Sequence, residues 1–136
     1  MTGTGFALYG PREGTGMKDE HSVLLVDDNA GLRSGLAMAL ADVGIRTTEA
    51  ERGDEAIRLV HEVKFDLLVL DLNLPDVTGV NVYRHVAYEH LRCIFMTAEA
   101  TEELIEQAMQ LHPLRLLRKP FEVKLFRDLV RSAVAA

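Results

Sequence analysis

A chain of 136 residues, 48% hydrophobic and 26% charged, is long enough for one buried core and too short for two. A mean hydropathy of +0.04 and apolar runs of only a few residues exclude a transmembrane helix, which needs about 20 apolar residues, and no basic-then-apolar leader opens the chain. A net charge of -6 argues against direct nucleic-acid binding, which draws on clustered Lys and Arg, so the expectation is a cytoplasmic domain with no membrane or nucleic-acid partner.

Residues 1–21 hold five of the ten glycines, with Pro11 among them and no hydrophobic period, and read as a flexible extension or leader; Met17 could serve as an internal start. The folded domain is expected over residues 22–136. Val23-Leu24-Leu25-Val26 reads as a first strand. A helical pattern follows with Leu32, Leu36, Leu40 and Val43 on one face, ended by Gly44. Ile45 to Glu49 is a second strand, Gly53 to Val63 a helix facing inward through Ala56, Ile57 and Val60, and Phe65 to Leu70 a strand buried on both faces.

After a turn from Pro75 to Gly79, Val80, Tyr83, Val86 and Ala87 mark a third helix, and Cys93 to Met96 a fourth strand. Cys93 has no disulfide partner in the sequence and reads as a small buried hydrophobe. Leu104, Ile105, Ala108 and Leu111 pattern the fourth helix, Leu114 to Leu117 the fifth strand, and Leu125, Leu129, Val130 and Ala133 the last helix. The histidines lack zinc-ligand spacing: His85 and His90 lie five apart and no cysteine pair accompanies them.

Strand and helix alternating five times with short links predict an α/β fold. It is a doubly wound five-stranded parallel sheet with right-handed crossovers and the common order 2-1-3-4-5. Ligands of such sheets bind beyond the carboxyl ends of the strands where the order reverses, between strands 1 and 3. Asp27 and Asp28 end the first strand and Asp71 the third, so all three carboxylates are expected there.

Clustered carboxylates repel and resist ionising unless a cation compensates. Magnesium suits a shallow loop site of this kind, because it takes a few carboxylate oxygens, keeps waters and bridges to phosphate. With the charge screened, a carboxylate can attack phosphorus and form an aspartyl phosphate, and Asp71 is the best-placed nucleophile. Thr97 and Lys119, at the ends of the fourth and fifth strands, offer a hydroxyl and a point cation for the phosphoryl oxygens. Each residue also has a plainer reading: an aspartate can accept turn hydrogen bonds, Thr97 can cap the fourth helix, and Lys119 can be a solvated surface charge.

The residues Val26-Asp27-Asp28-Asn29, Asp71-Leu72-Asn73-Leu74-Pro75 with Gly79, Met96-Thr97-Ala98 and Lys119-Pro120-Phe121, in that order, resemble the receiver domains of bacterial two-component response regulators. The resemblance runs from about Ser22 to Val134 and implies a flavodoxin-like fold, with Asp71 phosphorylated by a histidine kinase or phosphotransfer protein. It implies Mg2+ held by Asp27, Asp28, Asp71 and the backbone carbonyl of Asn73, and phosphoryl contacts from Thr97, Ala98 and Lys119. It also implies output through the face of helix 4, strand 5 and helix 5, a Lys119-Pro120 bond that is often cis, and a possible homodimer on phosphorylation. The downstream partner is not implied.

One position departs from the pattern: three residues before the lysine, where receivers usually carry Tyr or Phe, stands Leu116. A phosphorylation-independent binding module is therefore one alternative. An aspartyl-phosphate phosphohydrolase is another, disfavoured because Asn73 stands where such enzymes place an acid-base aspartate. With no effector segment after residue 136, the chain reads as a stand-alone receiver or one cut from a longer regulator.

Overall fold

Alternation along the strands divides the molecule into two cores, one on each side of a sheet. The computed structural model describes residues 20–87 and 90–135. The elements in chain order are β1 (His21–Val26), α1 (Ala30–Ala41), β2 (Ile45–Ala50), α2 (Gly53–Glu62), β3 (Leu67–Asp71), α3 (Gly79–Val86), β4 (Cys93–Thr97), α4 (Glu102–Met109), β5 (Arg115–Arg118) and α5 (Val123–Ala135). The strands pair in parallel in the expected order β2-β1-β3-β4-β5.

Successive residues of a strand point to opposite faces. Val23, Leu25, Leu67, Val69, Ile94 and Met96 therefore meet Leu36 and Leu40 of α1 and Phe126 and Val130 of α5. Leu24, Val26, Leu68, Leu70 and Phe95 meet α2, α3 and α4 through Ala56, Val60, Val80, Val82, Tyr83, Val86 and Ala108. β3 and β4 are buried throughout, as a central parallel strand covered on both faces must be.

Several boundaries move. β1 begins at His21 rather than Val23, because His21 already pairs with Ile45 in the ladder; residues 1–19 of the expected extension lie outside the described residues. α1 stops at Ala41, leaving Val43 in a turn closed by Gly44 at φ 79°. Leu114 precedes β5 and is exposed, and Ala87 is exposed just past α3. In α5 the buried stripe is Phe126, Val130, Ala133 and Val134, at spacings of four, three and one, which turns Leu125 to solvent.

Side chains cap three of the helices: Asn29 accepts from the N–H of Leu32, Thr78 from Asn81 and Thr101 from Leu104. Thr101, not Thr97, thus caps α4. α2 differs, since Arg52 at its N-cap position makes no side-chain capping bond.

Candidate functional site

Parallel strands bring their carboxyl ends to one edge of the sheet, and the acidic residues sit there. Asp27 follows β1 directly; its N–H still joins the ladder at the carbonyl of Ala50, which holds its side chain beneath the loops. Asp71 is the last residue of β3. Asp27 and Asp71 are buried, at 0% and 4% exposure, while Asp28 faces solvent. Each of the three offers a carboxylate oxygen within 4.8 Å of the others.

Lys119 reaches the pair from the far end of β5. Its Nζ donates to Asp27 Oδ2 at 2.6 Å and to Asp71 Oδ2 at 2.8 Å. The second oxygen of each aspartate accepts a backbone N–H two residues on, from Asn29 to Asp27 Oδ1 at 2.8 Å and from Asn73 to Asp71 Oδ1 at 2.9 Å. The turn-accepting role open to any aspartate is thus filled by both, alongside their clustering. Lys119 is held in turn by its own N–H on the Thr97 carbonyl at 2.7 Å; the Lys119-Pro120 bond that follows is cis, and Phe121 stacks on Phe126 of α5.

Burial raises the Asp71 carboxyl above its ordinary value despite the hydrogen bonds from Lys119 and Asn73, and the charge of Asp27 adds to the rise. Burial alone would lower the Lys119 ammonium, but its hydrogen bonds to Asp27 and Asp71 outweigh that and hold it above its ordinary value. One ammonium against three carboxylates leaves net negative charge at the site. A divalent cation fits that deficit, and hard oxygen donors are the set magnesium takes.

The hydroxyl of Thr97, at the end of β4 beside β3, is buried and has no hydrogen-bond partner among the described residues. A buried donor left open at the carboxyl edge of the sheet, on the strand next to the one that carries Asp71, is suited to an incoming oxygen. Ala98 is exposed, and with Asn29, Leu32, Lys119, Pro120 and Phe121 it borders a cleft of about 380 Å³. Leu116 pairs with Phe95 across the ladder and is half-buried against the α2–α3–α4 core.

Four supporting contacts were not foreseen. Arg33 of α1 donates to the carbonyl of Asp27 at 2.6 Å and to Glu49 Oε1 at 2.9 Å, bracing the β1–α1 turn against β2. The side-chain amide of Asn73 donates to the carbonyl of Glu99 in the β4–α4 loop. Gly79 lies so close to β3 that a Cβ there would stand 2.4 Å from the carbonyl oxygen of Asp71. Asp76 reaches across to the start of α2. Only the glycine carried a signal, its fixed place after Pro75; the others depend on which loops become neighbours.

The family model described as the response regulator receiver domain matches residues 23–131. Sporulation initiation phosphotransferase F of Bacillus subtilis is 32% identical over 112 residues, covering 81% of this chain and 90% of that protein. Chemotaxis protein CheY of Pseudomonas aeruginosa is 33% identical over 115 residues, covering 81% and 93%. Among solved structures, the non-phosphorylated HemR receiver domain of Leptospira biflexa has a TM-score of 0.77 at 30% identity, covering 85% of this chain and 95% of that one. A CheY-like receiver protein of Methanospirillum hungatei shares the fold with a TM-score of 0.79 at 19% identity, covering 85% and 94%.

Proposed function

The chain belongs to the response regulator receiver domain family of two-component signalling, and from that premise we propose that it is a phosphoacceptor switched at Asp71. The donor is a phosphohistidine on a histidine kinase or phosphotransfer protein in the cytoplasm, and the receiver occupies residues 22–136. A carboxylate oxygen of Asp71 attacks phosphorus in line, the P–N bond breaks, and its electron pair returns to the imidazole. Asp27, Asp28, Asp71 and the Asn73 carbonyl would hold Mg2+, which would supply charge to screen the carboxylates and neutralise phosphoryl oxygens.

This chain's own groups supply the rest. Lys119, already 2.8 Å from Asp71 Oδ2, follows the charge onto a phosphoryl oxygen, and the open Thr97 hydroxyl donates to another. Ala98 leaves the approach clear. The domain catalyses only its own phosphorylation and dephosphorylation. New charge at Asp71 then biases the neighbouring loops and, through them, the face of α4, β5 and α5 on which a protein partner or a second copy docks.

The observation that carries this reading is the convergence of Lys119 and two buried aspartates beside an unpartnered buried hydroxyl. Intact-mass measurement after incubation with magnesium and acetyl phosphate tests it. One phosphoryl addition, dependent on magnesium and absent from Asp71→Asn, is expected; labelling that persists in the variant places the acceptor elsewhere. Leu116 favours a second reading, a module that binds its partner without phosphorylation, because it lacks the aromatic ring that usually reports movement of the threonine. Partner binding unchanged by Asp71→Ala is the outcome that selects it.

A further inference from the structure

The N-cap residue of α2, Arg52, makes no side-chain capping bond, and Asp54 serves only the N–H of Glu55 among the helix amides, at 2.7 Å, so a loop from elsewhere serves the first two amides of the helix. The carboxylate of Asp76 accepts the N–H of Gly53 at 2.8 Å and of Asp54 at 2.9 Å, with Arg52 at 3.8 Å. A Cβ on Gly53 would stand 2.5 Å from Val77 and 2.8 Å from Val82, so the start of α2 is fitted closely to this loop and to α3. The loop is the segment 72–78, which begins next to Asp71 and contains Asn73. Its base is closed by the Asn73–Thr78 bridge and by the N–H of Gly79 on the Leu72 carbonyl at 2.9 Å. Asn73 ties one flank to the β4–α4 loop, and Asp76 ties the other to α2.

We infer that Asp76 is a positioning residue for the acidic pocket: by docking the loop onto α2 it sets where the Asn73 carbonyl lies relative to Asp27, Asp28 and Asp71. The inference rests on the proposed function, in which that carbonyl completes the magnesium site. Magnesium demands near-ideal octahedral geometry at about 2.0–2.1 Å, so a carbonyl on an untethered loop is a poorer ligand than one held in place. Outer groups that orient ligands are worth roughly 10- to 100-fold in metal affinity.

Losing Asp76 also uncaps α2, so stability and position must be separated. Arg52→Ser restores a local N-cap without restoring the tether. Magnesium affinity by titration calorimetry and melting temperature without metal are measured on the full chain as wild type, Asp76→Ala, Arg52→Ser/Asp76→Ala and Asp54→Asn. Asp76→Ala is expected to melt lower and to bind magnesium roughly tenfold more weakly. The double variant is expected to regain its melting temperature while magnesium binding stays weak. Asp54→Asn, which removes a charge from the same helix end, is expected to bind as wild type does. Affinity that never falls, that recovers together with stability, or that falls equally in Asp54→Asn overturns the inference. Wild-type protein that binds no magnesium overturns the proposed function itself.

Discussion

Asp71 occupies surroundings that disfavour its own charge, and stability should register this. Its folded carboxyl takes up a proton more readily than an unfolded one, so its contribution is unfavourable above the folded value and is relieved as pH falls through it. Asp71→Asn without metal should therefore melt above wild type at neutral pH, with the difference shrinking on acidification; melting scans across pH check this, and a neutral-pH melting temperature at or below wild type would count against it. Lys119 has the opposite sign: its raised ammonium contributes stability that is complete below the unfolded lysine value and is lost as alkaline pH passes the folded one. Lys119→Ala leaves Asp27 and Asp71 buried without a cation, and urea denaturation without metal should show a loss of about 3 kcal/mol, partly recovered with magnesium. The sequence displayed these residues because each closes an apolar run. Arg33 escaped notice because nothing local distinguishes an arginine that meets the Asp27 carbonyl from one in water.

At the scale of elements, the ordering of strands and helices was legible because the apolar period changes from two to about 3.6 at each boundary. The inward face of α5 was less so: Val123, Leu125 and Phe126 all qualify by hydropathy, and only packing against β1, β3 and β4 selects Phe126. The capping of α2 was not legible, since its carboxylate lies 22 and 23 residues away from the amides it serves. Close approach between elements gives a sharper expectation. Because a methyl at Gly79 would meet the Asp71 carbonyl oxygen, a backbone atom that cannot rotate away, Gly79→Ala must push α3 off β3. Overpacking of this kind costs roughly 1–3 kcal/mol. Denaturation should show that loss, and acetyl phosphate labelling of Asp71 should fall with it; a variant that labels and melts as wild type does would mean the loop yields freely.

For the whole molecule, the switch point of the sheet predicted where the acidic residues meet, and they meet there. No helix among the described residues is long and apolar enough to cross a membrane. Ligand linkage then joins the site to global stability: magnesium at about 100 times its dissociation constant should add about 2.7 kcal/mol, read as a rise in melting temperature. Asp28→Asn should remove most of that rise while leaving metal-free stability within about 0.5 kcal/mol, because Asp28 is exposed; an undiminished rise would exclude it as a ligand. The side chains assigned to the proposed reaction lie at strand ends and in the loops beyond them, and among the described residues the outward faces of the helices contribute none to it. Under the proposed function, substitutions on those faces would readdress the module to a new correspondent while the reaction stayed as it was, so that a lineage could rewire its circuits without reinventing the signal they carry.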